Sequence, residues 1–156
     1  MAIQVGQQAP DFSLRDTEKN KVTLSEQKGK NVLLLFIPAA FTGVCTTEFC
    51  NVRDSLSFYN DTNAVVYGIS VDSLFSLGKF KEEQNLNFTL LSDFNKEAST
   101  AYDTIYDKWF NDMNGVAKRS AFVIDKDGVV QYAEVLENAG DMPDFNAIQE
   151  TLKRLN

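Results

Sequence analysis

Histidine is absent from this 156-residue chain, and no other feature of the composition limits its chemistry more. Without an imidazole, Ser-His-Asp and Cys-His catalysis are excluded, and the commonest metal ligand is missing. Cysteine occurs only twice. That is too few for the disulfide framework of a small secreted domain, and two thiolates with carboxylate help are a poor zinc set. No metal and no cofactor are expected. Proline occurs three times and glycine eight times, never clustered into a linker or a low-complexity tract. No apolar run approaches the roughly 18 residues that span a bilayer. The opening MAIQVGQQAPDFSL lacks a basic head followed by an apolar stretch, so no signal peptide is read there and a cytoplasmic location is the expectation. Basic residues are outnumbered 15 to 22, a net charge of −7. Neither nucleic acid nor a membrane is expected as a partner, since both select clustered positive charge.

What is present describes one globular domain over residues 1–156, with 44% hydrophobic residues and 12 phenylalanines to fill a core. FSL and KVTL on either side of the polar RDTEKN predict an N-terminal β-hairpin. NVLLLFI (31–37) and AVVYGISV (64–71) read as strands buried on both faces. Between them Cys45, Phe49, Val52, Leu56 and Tyr59 form one helical stripe, which predicts a helix from Thr42 to about Tyr59. Strand, helix, strand implies a parallel pair with a right-handed crossover. Leu74, Phe75, Leu77 and Phe80 predict a second helix, followed by a short strand in FTLL. SAFVI and VVQYAEV flank DKDG as an antiparallel hairpin. DKDG resembles the start of a calcium loop but lacks the later ligands, and a hairpin turn accounts for it. A last helix begins near Pro143, with Phe145, Ile148, Leu152 and Leu155 on one side. The expected fold is α/β and thioredoxin-like: a mixed central sheet, helices on both faces and the N-terminal hairpin as an extension.

Both cysteines lie in PAAFTGVCTTEFC, where the first buried strand gives way to the first helix. With Thr42 as N-cap, Cys45 falls in the first helical turn, among unpaired backbone N–H groups and at the positive end of the helix dipole. That environment favours a thiolate and offers donors to a substrate oxygen. It is also where open α/β sheets place their sites. Cys45 lies on the apolar stripe as well, so position alone serves a small core residue equally. Cys50 is harder to explain by packing, because five residues turn about 140° around a helix. The pair is separated by about 8 Å between α-carbons, beyond the usual disulfide range of about 6.8 Å. A Cys45–Cys50 disulfide therefore requires the start of this helix to unwind, which suits a redox cycle better than a permanent crosslink.

Pro38, Thr42, Cys45 and Glu48 together make PxxxTxxCxxE, and this motif resembles that of the peroxiredoxins. LLLFIP, APDFSL, LLSD and the arginine of KRSAFVID extend the resemblance over nearly the whole chain. The spacing of Cys50 is similar to that of the Q-type (bacterioferritin-comigratory-protein-like) subfamily, and FTGVC resembles the alkyl hydroperoxide reductase E group. The resemblance implies a peroxidase acting on hydrogen peroxide and organic hydroperoxides, with Cys45 as the peroxidatic thiol that becomes a sulfenic acid. It implies that Thr42 hydrogen-bonds the thiolate and substrate oxygen, that Pro38 shields the pocket and that Arg119 keeps the thiolate ionised. The backbone N–H groups of Val44 and Cys45 add donors. Glu48 is a possible support, paired with Arg119 or with the helix end. Cys50 is implied as the resolving cysteine of an intramolecular disulfide, recycled by thioredoxin or a similar dithiol, in a monomer or homodimer. Neither a GGLG segment nor a C-terminal YF is present, so resistance to inactivation by excess peroxide is expected.

Other readings compete. A one-cysteine peroxidase using an external thiol shares the motif. A thioredoxin-type disulfide oxidoreductase needs the CxxC that is missing here. A redox sensor or holdase uses the same thiols without turnover. Arg119, taken without the family, reads as a surface charge, and Trp109 reads as part of an aromatic cluster or a dimer contact.

Overall fold

The computed structural model describes residues 2–156. Seven strands form one sheet: β1 (Ser13–Asp16), β2 (Lys21–Thr23), β3 (Asn31–Phe36), β4 (Ala64–Ser70), β5 (Thr89–Ser92), β6 (Ser120–Ile124) and β7 (Val130–Val135). Their order is β2-β1-β5-β4-β3-β6-β7. β3, β4 and β5 run parallel, as the apolar runs predict, while β1 and β6 add antiparallel neighbours. The helices are α1 (Gly43–Asp54), α2 (Leu56–Asp61), α3 (Leu74–Gln84), α4 (Glu97–Ala101) and α5 (Phe145–Arg154). This is the thioredoxin-like layout expected, with β1 and β2 as the hairpin extension. Among the described residues no helix is long and apolar enough to cross a membrane.

Period-two alternation along β3 splits the core between the two faces of the sheet. Leu33, Leu35 and Ile37 pack with Phe49 and Val52 of α1, Tyr59 of α2, Leu77 and Phe80 of α3, and Ile148 and Leu152 of α5. Val32, Leu34 and Phe36 face the opposite way, toward Phe12, Leu14, Tyr102 and Phe122. The second face is covered by the five-residue α4, the N-terminal segment and the stretch before β6 that carries Ala117, so the helices are unevenly shared. α4 was not visible in the periodicity; buried Asp93 creates it by accepting the Ala98 and Ser99 N–H groups at 3.0 and 2.7 Å.

The long helix expected over 42–59 is two helices. Ser55 leaves helical geometry (φ −111°, ψ 13°), and its N–H reaches the third carbonyl back, that of Val52. The Asn87 side-chain amide meanwhile donates to the Arg53 carbonyl. Asp54 and Ser55 are weak helix formers, so a bond from outside is enough to break the ladder there. The apolar stripe runs through the break because α2 continues on the same side. In α3 only Leu77 and Phe80 are buried; Phe75 points into solvent. The last helix starts two residues later than read, with Asp144 accepting the Ala147 N–H as its cap. DKDG is a hairpin turn in which Asp125 accepts the N–H groups of Asp127 and Val129. Trp109 belongs to an aromatic cluster, stacked on Tyr106 and edge-on to Phe110.

The seating of α1 depends on Gly68. A methyl group there would lie 2.6 Å from the Phe49 ring and 2.8 Å from Leu90. The bare backbone of β4 lets Phe49, one turn beyond Cys45, press onto the sheet. Gly68→Ala is therefore expected to destabilise the protein by about 1–3 kcal/mol through overpacking, read as a lower urea midpoint. An unchanged midpoint would mean that α1 can shift without loss.

Candidate active site

Three parallel strands end side by side, and the turn from β3 to α1 lies over those ends. The Ile37 N–H continues the ladder by donating to Ile69 O. Pro38, Ala39 and Ala40 are all buried. Phe41 then takes a left-handed conformation (φ +69°), a cost for a residue with a side chain. Thr42 is the N-cap residue by backbone geometry, and its carbonyl accepts the Thr46 N–H. Its hydroxyl does not cap the helix. It donates to Ala39 O at 2.9 Å and so braces the turn. A hydroxyl has one proton, so the bond from Thr42 to the thiolate is not formed here, and the oxygen's lone pairs are left to accept from a substrate O–H.

Cys45 is 1% exposed in the first turn of α1. The N–H groups of Gly43, Val44 and Cys45 there have no carbonyl one turn back within the helix. Arg119 comes to the same place from the far end of the chain. Ser120 pairs with Phe36 in the β3–β6 register, so the preceding residue stands beside the exit of β3. Arg119 is not a surface charge but is 2% exposed. Its Nη2 donates to Cys45 Sγ at 3.2 Å, its Nη1 to Glu48 Oε1 at 2.8 Å, and its Nε and Nη2 to Ala139 O at 3.2 and 3.0 Å. The guanidinium fork thus spans a sulfur, a carboxylate and a carbonyl. Burial works against its charge, but Cys45 and Glu48 outweigh that and raise its pKa.

Glu48 pairs with Arg119 rather than with the helix end and has no solvent exposure. Its second carboxylate oxygen, Oε2, has no hydrogen-bond partner among the described residues. Burial pushes the Glu48 pKa up to about 7, held back in part by the charge and hydrogen bond of Arg119. Two acidic groups therefore share one buried cation. Cys50 lies outside this cluster. It is half-buried on the other side of α1, and its thiol donates to Gln84 Oε1 at 3.5 Å. Both thiols are free, in one unbroken helix.

Two contributors escaped the sequence reading. Ala139 acts through its carbonyl, which no residue type advertises. Asp72, just past β4, accepts the Ala40 N–H at 2.8 Å. Its only signal was an acidic residue following a buried strand.

Residues 5–133 match the AhpC/TSA family. Peroxiredoxin Bcp of Bacillus subtilis is 41% identical over 130 residues, 82% of each chain. Alkyl hydroperoxide reductase E of Mycobacterium tuberculosis is 37% identical over 156 residues, 98% of each chain. The crystal structure of peroxidoxin BcpB from Mycobacterium tuberculosis superposes with a TM-score of 0.87 over 99% of both chains, at 28% identity. A thiol held against a buried arginine at the exit of a parallel strand, on a chain this similar throughout, leads to one assignment: the protein belongs to the AhpC/TSA family and is a peroxiredoxin, an oxidoreductase acting on peroxide.

Proposed function

We propose that Cys45 is the peroxidatic thiol and Cys50 the resolving thiol of a hydroperoxide reductase recycled by a thioredoxin-like dithiol. The observation that carries this reading is the 3.2 Å contact from Arg119 Nη2 to Cys45 Sγ between two buried side chains. With no histidine in the chain, a guanidinium and a helix N-terminus are the groups that favour the thiolate.

The thiolate attacks one oxygen of the peroxide, hydrogen peroxide or an organic hydroperoxide. A sulfur–oxygen bond forms, the O–O bond breaks, and the sulfur is oxidised by two electrons to a sulfenic acid. The leaving oxygen departs as hydroxide or alkoxide and takes up a proton to become water or alcohol. Negative charge moves from sulfur to oxygen along the way. The Arg119 N–H groups and the N–H groups of Val44 and Cys45 are placed before the reaction to receive that charge. Thr42 accepts the substrate O–H, and Pro38 keeps water off the sulfur. Glu48 fixes the guanidinium from its other side.

Resolution follows when the first turns of α1 unwind. The Cys50 thiolate attacks the sulfenic sulfur, a disulfide forms and hydroxide leaves as water after protonation. An external dithiol then reduces the disulfide by exchange and is itself oxidised. Cys50→Ser is expected to keep the rate of the peroxide step and to lose turnover with a thioredoxin-type reductant, because no intramolecular disulfide can form. Single-turnover mixing with peroxide followed by intact mass reads both effects. Undiminished dithiol-driven turnover in that variant would favour the one-cysteine cycle with an external thiol.

A further inference from the structure

We infer that Asp72 is a positioning residue for Cys45, clamping the Pro38–Thr42 turn to the ends of β4 and β5 and so holding the first turn of α1 in its peroxide-reactive arrangement. The inference deepens the reading of Cys45 as peroxidatic thiol and rests on it for its kinetic consequence. Asp72 ties three chain segments together. Its Oδ2 accepts the Ala40 N–H at 2.8 Å and the Ser70 hydroxyl at 2.7 Å. Its own N–H donates to Ser70 Oγ at 3.2 Å, and its carbonyl accepts the Ser92 hydroxyl at 2.6 Å. Ser70 closes β4 and Ser92 closes β5, so one half-buried residue joins the exits of β4, the neighbour of β3, and of β5 beyond it to the turn that continues β3.

The turn has need of such a clamp. Phe41 sits at φ +69°, a conformation that persists only when its surroundings hold it. The Ala40 N–H, on a residue 7% exposed, has Asp72 as its acceptor. Beyond that bond the turn is braced by the Thr42–Ala39 hydrogen bond, which is internal to it, and by apolar packing of Ala40 in the core and of the Phe41 ring edge-on to Phe80 of α3. Removing the Asp72 carboxylate leaves a strained turn that keeps its non-directional apolar packing but loses its hydrogen-bonded tie to the ends of β4 and β5. The two halves of the cycle then respond in opposite directions. The peroxide step needs the turn closed, because Cys45 must face Arg119 and the helix N-terminus together. The disulfide step needs the first turns of α1 opened, because Cys45 and Cys50 are too far apart in an intact helix.

The test uses the full chain with Asp72→Ala and Asp72→Asn, each in rapid mixing with hydrogen peroxide and, separately, in alkylation of Cys45 by iodoacetamide read by mass spectrometry. Losing a hydrogen bond to a charged group predicts that Asp72→Ala slows the peroxide step by about tenfold or more. The same variant should show a disulfide step at least as fast as in the unaltered protein and faster alkylation of the otherwise buried Cys45. Asn keeps an acceptor oxygen for Ala40 N–H and should restore most of the peroxide rate. Should Asp72→Ala fail to fold, Asp72→Ser, too short to reach Ala40, carries the same comparisons. Wild-type peroxide and alkylation rates in a folded Asp72→Ala protein would overturn the inference, as would an Asn variant as impaired as Ala. If the unaltered protein lacks a fast peroxide step, the functional reading fails instead, while alkylation still decides whether Asp72 holds the turn closed.

Discussion

Replacing Arg119 with methionine is expected to slow the reaction with hydrogen peroxide by roughly two to three orders of magnitude, the usual loss when one preorganised charge-stabilising donor is removed. Methionine keeps the bulk of the side chain but gives up the cation beside Cys45 Sγ and the donors to Glu48 and Ala139. The variant also breaks a buried ion pair, which typically costs about 3–5 kcal/mol because the surviving charge is stranded. Here part of that loss is averted, since a carboxyl whose pKa is already about 7 can become neutral by taking up a proton. Arg119→Met combined with Glu48→Gln should therefore regain stability without regaining activity, a split that separates folding from catalysis. Arg119→Lys should stay well below the unaltered rate, because a point charge cannot serve Cys45, Glu48 and Ala139 at once. Stopped-flow oxidation and urea unfolding of the three variants check these outcomes. A methionine variant that reacts at the unaltered rate would remove Arg119 from the mechanism.

Glu48→Gln should change how stability depends on pH. In the folded protein the Glu48 pKa lies at about 7, above its ordinary value of 4.5, because burial penalises the carboxylate. Between those two values the folded state binds more of this proton than the unfolded state does, so stability falls as pH rises. The contribution is fully present below the unfolded pKa of 4.5 and is lost as pH climbs through about 7. Glutamine can still accept the Arg119 hydrogen bond through its amide oxygen but does not titrate. The stability of Glu48→Gln relative to the unaltered chain should thus rise from the acidic to the alkaline side of neutrality. Urea midpoints across that window measure it. Parallel curves for the two proteins would show that Glu48 keeps an ordinary carboxylate pKa in the fold.

How much was legible in the sequence follows the range of the interactions involved. Buried strands and the helix carrying Cys45 were readable because apolar runs and a period of 3.6 are local patterns. The break at Ser55 was not, because Asn87, distant in the chain, takes the Arg53 carbonyl. Pro38, Thr42 and Glu48 were marked through the resemblance of PxxxTxxCxxE to a family motif, and Thr42 also as an N-cap, yet its hydroxyl turns toward Ala39 instead of capping the helix. Arg119 viewed alone looked like a surface charge; its burial depends on the β3–β6 register, which brings it to the exit of β3. Asp72 and the Ala139 carbonyl were invisible for the same reason, since each matters only through a partner far along the chain.

The most direct test of the central claim is the second-order rate at which the reduced protein consumes hydrogen peroxide, followed on the same sample by intact mass and a count of free thiols. Free cysteine in the same buffer is the reference. A peroxidatic Cys45 resolved by Cys50 predicts a rate several orders of magnitude above the reference, with both thiols lost in a species of monomer mass. A rate like that of free cysteine would contradict it, because a thiol held against Arg119 at a helix N-terminus would then gain nothing from either.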